Sequence, residues 1–128
     1  VPVRDWPADL PLVDYNLVLI ARRSRFFAGT RFRKRGLNGR GDVANEVEIE
    51  QLVVDGATRL ARSGCVTSFV QVRGSVPLFW AQELKGIIPK PPVQFHGSDA
   101  NHTATKLHFA NLMQRYGAPV MCICLNKR

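Results

Sequence analysis

Ala44-Asn45-Glu46-Val47-Glu48-Ile49-Glu50-Gln51-Leu52-Val53-Val54 alternates in character along its first half. Glu46, Glu48 and Glu50 fall on one face, with Val47, Ile49 and Gln51 opposite, and a period of two is the mark of a strand. Gly36, Asn38, Gly39 and Gly41 just upstream give a turn signal. Before them Thr30–Arg35 alternates as well: Arg31, Arg33 and Arg35 share one face, Phe32 and Lys34 the other. The two segments predict an antiparallel hairpin. With odd positions of the first strand opposite even positions of the second, three arginines would face three glutamates, each pair contributing roughly 0.2–1 kcal/mol. A neutralised charge ladder is thus one reading of these arginines and anion binding the other; the ladder cannot neutralise Arg22, Arg23 and Arg25, which lie before the hairpin.

Working outward, Val1–Pro11 is proline-rich and reads as an irregular lead-in, and Tyr15–Ile20 as a buried strand. Downstream, Asp55–Gly64 is a polar connection with room for a helical turn. Ser68–Val72 reads as a strand, Arg73–Pro77 as a turn and Leu78-Phe79-Trp80 as apolar. Pro89, Pro91 and Pro92 make Ile87–Val93 extended. Thr103–Tyr116 predicts a helix, with Asp99, Asn101 and Thr103 as candidate caps and Phe109, Leu112, Met113 and Tyr116 as its apolar stripe. Gly117 and Pro119 stop it, and Val120–Leu125 reads as a buried strand. The whole predicts an α/β fold, a mixed sheet with flanking helices, without internal repeats.

A chain of 128 residues with 45% hydrophobic content suits one globular unit or a piece of a larger one. The first residue is Val1, and Asn126-Lys127-Arg128 directly follows an apolar run, so both ends read as cut from a longer polypeptide. No apolar run reaches the ~18–20 residues of a membrane span, and no signal peptide is visible. Cys65, Cys122 and Cys124 are odd in number and two lie in an apolar run. They read as reduced, buried thiols of a cytosolic protein, and Cys122-x-Cys124 lacks the second ligand pair of a zinc site. His96, His102 and His108 are too dispersed for a metal or catalytic cluster; His108 beside Phe109 reads as a packed helix histidine. The net charge of +8 is concentrated: Arg22, Arg23, Arg25, Arg31, Arg33, Lys34, Arg35 and Arg40 lie within nineteen positions free of acid. Such a segment implies a dense anion as partner, whether nucleic acid, an anionic membrane or a phosphorylated ligand.

Three segments narrow this choice. Ala28-Gly29-Thr30-Arg31-Phe32 with Arg35-Gly36, then Val43-Ala44-Asn45-Glu46-Val47-Glu48-Ile49-Glu50-Gln51, then Ser68-Phe69-Val70-Gln71-Val72-Arg73-Gly74-Ser75-Val76-Pro77-Leu78-Phe79-Trp80 resemble, in order and spacing, three blocks of the Sac-domain phosphoinositide phosphatases. Arg22-Arg23-Ser24, His108-Phe109 and Tyr116-Gly117 are weaker echoes, so the resemblance runs from about Tyr15 to Leu125. Ile49 stands where the family usually has Thr, and Ala21 where Ser is common. Glu46, Lys34-Arg35-Gly36 and Pro89-Lys90-Pro91-Pro92 look most like the endolysosomal polyphosphoinositide phosphatase branch, which acts on phosphatidylinositol 3,5-bisphosphate at the 5-position.

The resemblance implies that residues 1–128 are a partial Sac phosphatase domain. Its catalytic Cys-x5-Arg loop would lie downstream, its partners would be a phosphoinositide lipid, an anionic endomembrane surface and a scaffold and lipid-kinase complex, and it would need no cofactor and no metal. Cys122 and Arg128 satisfy the Cys-x5-Arg spacing literally. However, the intervening Ile-Cys-Leu-Asn-Lys has no early turn former and cannot wrap consecutive N–H groups around one anion. No catalytic residue is therefore assigned here. Arg73, Arg31 and Asn45 are the candidate substrate-binding residues, a guanidinium being able to grip phosphate with two parallel bonds. Arg22, Arg23 and Arg25 are the candidate membrane-facing cations. Two other readings compete: a catalytically dead Sac-like module that binds phosphoinositide or a scaffold, and a nucleic-acid binder using Phe26, Phe27 and Phe32 among the arginines, for which no nucleic-acid motif is present.

Overall fold

The computed structural model describes residues 15–30, 32–55, 66–83, 91–97 and 99–125. Strands β1 (Tyr15–Arg23), β2 (Val47–Asp55) and β3 (Val66–Arg73) form one sheet with β2 in the middle; β4 (Trp80–Ala81) and β5 (Gln94–Phe95) form a second, antiparallel pair; α1 spans Thr103–Tyr116. The chain is mixed α/β, as expected. It divides into two compact units, Val1–Arg22 with Ile49–Gln71, and Arg23–Glu48 with Val72–Arg128.

In the first unit, Glu50 of β2 lies between its neighbours: Arg22 Nη2 of β1 donates to its Oε2 at 2.8 Å and Ser68 Oγ of β3 to its Oε1 at 2.9 Å. The Arg22 bond first, then the Ser68 bond, hold the Glu50 carboxyl below the usual carboxylate range. β1 was expected to be buried, yet Tyr15, Leu17 and Leu19 are exposed, as is Phe69 of β3. Alternation and β-branching specify a ladder; whether a face is covered depends on what packs there.

The second unit holds the core, built from Leu37, Val43 and Ala104 with Phe79 packed against them. Leu37 and Val43 pair across a tight turn. Asn38 closes that turn: its Oδ1 accepts from the N–H groups of Arg40 and Asp42, and its Nδ2 donates to Asp42 Oδ2. α1 has the predicted bounds. Asp99 caps it, one carboxylate oxygen accepting from Thr103 N at 2.7 Å and the other from Ala104 N at 3.0 Å. Gly117 N donates to Met113 O at its end. Among the described residues no helix is long and apolar enough to cross a membrane.

Four expectations are corrected here. Thr30–Arg35 forms no strand in its described part; Arg33 N and Lys34 N both turn back onto Thr30 O, and Phe32 has a left-handed φ of 69°. That segment alternates charges with a single aromatic and so has no apolar face to drive a ladder. β2 pairs with β1 and β3 instead, so the arginine–glutamate hairpin does not form. Second, α1 buries Ala104, His108 and Leu112, an i, i+4, i+8 line, while Met113 and Tyr116 are exposed. Third, residues 120–125 are not a strand, and Met121, Ile123 and Leu125 are exposed with Cys122 and Cys124. An apolar run becomes a strand only where another strand offers N–H and C=O partners. Fourth, Arg22, expected to lack a neutralising partner, is bound to Glu50. The expected segment Val1–Pro11, the segment Asp55–Gly64 apart from Asp55, which ends β2, most of Ile87–Val93, and Cys65 and Arg31 lie outside what the structure describes.

His108 is the buried helix histidine that the sequence anticipates, 8% exposed. Its Nδ1 lies 3.2 Å from Gly41 O; a carbonyl only accepts, so Nδ1 carries the proton. Burial lowers its pKa below the ordinary 6.5, outweighing the opposing pull of Glu46 and the Gly41 carbonyl. The folded state therefore binds fewer protons than the unfolded one just below pH 6.5. Stability is expected to be full above that pH and to decline as the pH falls toward the folded-state value. The decline should be smaller in His108→Gln, read as the difference between the two pH–stability curves by urea unfolding; identical slopes would refute the assignment.

Candidate functional site

The three sequence blocks meet in the second unit. Asn45, in a left-handed conformation (φ 55°), ties down the basic loop before it: its Oδ1 accepts from Gly29 N at 3.1 Å, its backbone N–H donates to Phe27 O at 3.1 Å, and its Nδ2 reaches Lys34 O at 3.5 Å. Ser24 N donates to Glu46 O at 2.9 Å. Gly36 is the crossing point of two blocks. Its N–H donates to Ser75 Oγ at 2.8 Å and its carbonyl accepts from Ala44 N at 2.8 Å, while Leu37 N donates to Leu78 O. Gly74 serves packing: a Cβ there would lie 2.7 Å from Val43 Cγ2. Thr105 Oγ1 of α1 donates to Pro77 O at 2.8 Å and pins the turn after β3 to the helix.

Within this frame the arginines divide into two kinds. Arg35 is fixed. Its Nε donates to Gln82 Oε1 at 3.0 Å, and its guanidinium lies 5.4 Å from the Phe32 ring centroid and 5.6 Å from that of Trp80. Gln82 is buried, and its Nε2 donates to Pro91 O at 2.9 Å. Arg73, at the end of β3, is exposed and has no carboxylate partner among the described residues. Arg23, Arg25 and Arg33 are exposed as well. Arg31 is outside the described residues; of the other two candidate substrate-binding residues, Asn45 is tied to Gly29 and Lys34 of the basic loop and Arg73 stands at the end of β3.

A second cluster locks α1 to Glu46 and to Glu48 at the start of β2. Arg115 Nη1 donates to Glu46 Oε1 at 2.7 Å, its Nη2 lies 3.7 Å from Glu48 Oε2, and the Tyr116 hydroxyl donates to Glu48 while accepting from Arg115. Partial burial opposes the Arg115 charge, but the bond and field of Glu46 outweigh it and raise its pKa. Burial first, then the bond to Glu48, push the Tyr116 phenol up. The glutamate stripe therefore does pair with arginines, from the helix and from β1. Sequence reasoning missed Arg35, Gln82, Arg115 and Tyr116 as organising residues. Gln82 left one weak signal, a polar amide two residues beyond a tryptophan in a stretch otherwise read as core.

The arrangement can hold cations and aromatic rings in fixed positions, which is the equipment of an anion-facing wall. Residues 8–128 match the family described as the SacI homology domain. The chain is 48% identical over 114 residues to the phosphatidylinositol-3-phosphatase SAC1 of Arabidopsis thaliana, covering 89% of this chain and 12% of that protein. It is 50% identical over 117 residues to the polyphosphoinositide phosphatase of Schizosaccharomyces pombe, covering 86% and 14%. It is 40% identical over 110 residues to synaptojanin-1 of Rattus norvegicus, covering 86% and 6%. The chain thus spans about one seventh or less of the length of these relatives. With nearly all of its residues matched and its three motif blocks knotted together, the chain belongs to the SacI homology domain family.

Proposed function

We propose that this chain is the wall, and not the reacting part, of a phosphoinositide phosphatase that removes a phosphate monoester from the inositol ring of a membrane lipid. The observation that supports it is the similarity, along 86–89% of this chain, to proteins named for that activity. The finer assignment, to phosphatidylinositol 3,5-bisphosphate and its 5-phosphate on endomembranes, rests on Glu46, Lys34-Arg35-Gly36 and Pro89-Lys90-Pro91-Pro92. In the reaction a thiolate from a Cys-x5-Arg loop elsewhere in the protein attacks phosphorus and the P–O bond to the inositol oxygen breaks, that oxygen leaving as a hydroxyl with a proton from water, while backbone N–H groups and an arginine hold the phosphoryl oxygens. Water then cleaves the S–P bond, regenerating the thiolate and releasing phosphate. Arg73 and Arg31 contact the headgroup phosphates, and Asn45 acts as a positioning residue by holding the 27–34 loop. A scaffold and lipid-kinase complex is the partner expected for the endolysosomal branch.

Cys122 is a solvent-exposed free thiol in a segment that is neither helix nor strand. In the full-length protein, Cys122→Ser is expected to leave turnover of a soluble short-chain phosphoinositide unchanged. Arg73→Ala is expected to lower kcat/KM by about 10–100-fold, the worth of one charge-assisted phosphate grip. Phosphate release from the lipid headgroup reads both. Loss of turnover in Cys122→Ser, or wild-type protein that binds the headgroup without hydrolysing it, would overturn the proposed roles.

A further inference from the structure

The loop between β1 and the Leu37–Val43 turn carries an aromatic side chain for which the fold has no use. Phe26 is 61% exposed, although the backbone around it is tightly held. Ser24 N is bonded to Glu46 O, Phe26 N lies 3.4 Å from Ser24 Oγ, Phe27 O accepts from Asn45 N, and Gly29 N donates to Asn45 Oδ1. The exposure is thus imposed by the anchoring and is not a frayed end. Exposed Arg23, Arg25, Arg33 and Lys34 belong to the same loop and its flanks, and no acid occurs between Arg22 and Arg40.

Two anionic partners suit cations mixed with aromatics, and ring geometry separates them. Single-stranded nucleic acid needs several open ring faces in a row. Here Phe27 is half-buried under Lys34 Nζ, 5.0 Å from its centroid, Phe32 is half-buried with the Arg35 guanidinium over it, and Phe26 has Arg25 over one face at 5.5 Å. Only Phe26 projects, and a single held aromatic with cations around its base fits the boundary between headgroups and acyl chains. There the ring leaves water and the cations stay with lipid phosphates. We propose that Arg25, Phe26, Arg33 and Lys34 dock on an anionic bilayer with Phe26 inserted below the headgroups, so that these residues, and not the β1 end with its Glu50-bound Arg22, are the membrane-seating element. The proposal rests on the reading that the substrate is a membrane lipid.

The test uses the full-length protein and vesicles of phosphatidylcholine with or without phosphatidylserine, free of phosphoinositide. In Phe26→Trp, the added fluorescence should shift to the blue and be quenched by bromine-labelled acyl chains when phosphatidylserine is present. Phe26→Ala should weaken vesicle binding about tenfold, the effect of one large apolar side chain leaving water. The triple change Arg25→Gln, Arg33→Gln, Lys34→Gln should flatten the salt dependence of binding. No quenching beyond wild type, or Phe26→Ala binding like wild type, overturns the proposal. So does a Phe26-dependent preference for a single-stranded oligonucleotide over the anionic vesicles. Because turnover is read on a soluble headgroup and docking on vesicles without it, failure of one is distinguishable from failure of the other.

Discussion

Alanine at position 36 is expected to lower the stability of the chain by about 3 kcal/mol or more, read as a shift in the urea midpoint with unchanged slope. Gly36 has a φ of 69°, a conformation that roughly 1–2 kcal/mol disfavours for a residue with a Cβ. The added carbon would also lie 2.5 Å from Leu78 O, 2.8 Å from Trp80 O and 2.9 Å from Trp80 N. All three are backbone atoms, so no side chain can rotate aside. Relief requires the segment after β3 to move, and that stretches the bonds of Gly36 N to Ser75 Oγ and Leu37 N to Leu78 O. Gly39 is the internal control, since nothing lies within 4 Å of a Cβ built there. Gly39→Ala should stay within about 0.5 kcal/mol of wild type. If Gly36→Ala costs less than about 1 kcal/mol, the close crossing of the two blocks is wrong, and with it the rigid placement of Arg35.

What the sequence disclosed, and what it hid, follows from the range of the forces involved. The bounds of α1 were legible because capping and stopping act locally: Asp99 reaches the first turn and Gly117 closes the last. The alternation of Glu48 and Glu50 placed β2 correctly for the same reason. Partner choice was not legible, because it is decided across long separations. Glu46 meets Arg115, sixty-nine positions away, rather than an arginine of the nearby basic stretch. Burial misled in both directions. Most apolar residues of β1 and of 120–125 are exposed, while Gln82 is buried because the Pro91 carbonyl and the Arg35 guanidinium satisfy it. Of the candidate site, Asn45 was identified from its motif, but its observed work is to hold Gly29 and Lys34. Arg35 was filed with a charge ladder, because nothing local announces that Phe32, Trp80 and Gln82 converge on it.

Leu37→Ala is the second large effect, a loss of about 2–4 kcal/mol by the same urea measurement. Val120–Leu125 reads from sequence as a buried strand, yet Ile123 is 75% exposed, whereas Leu37 is 3% and Val43 2% exposed at the glycine-rich turn. With a core this small, truncating Leu37 opens a cavity that Val43, Ala104 and Phe79 cannot all collapse to fill. Ile123→Ala should change stability by no more than about 0.5 kcal/mol, since an exposed side chain has little left to lose. The contrast extends to function, because Leu37 follows directly on Arg35-Gly36. A loosened turn should weaken headgroup binding in the full-length protein under conditions where it is still folded, while Ile123→Ala should not. Should Ile123→Ala prove the more damaging of the two, the core lies elsewhere, and the turn is no platform for a phosphate-facing arginine.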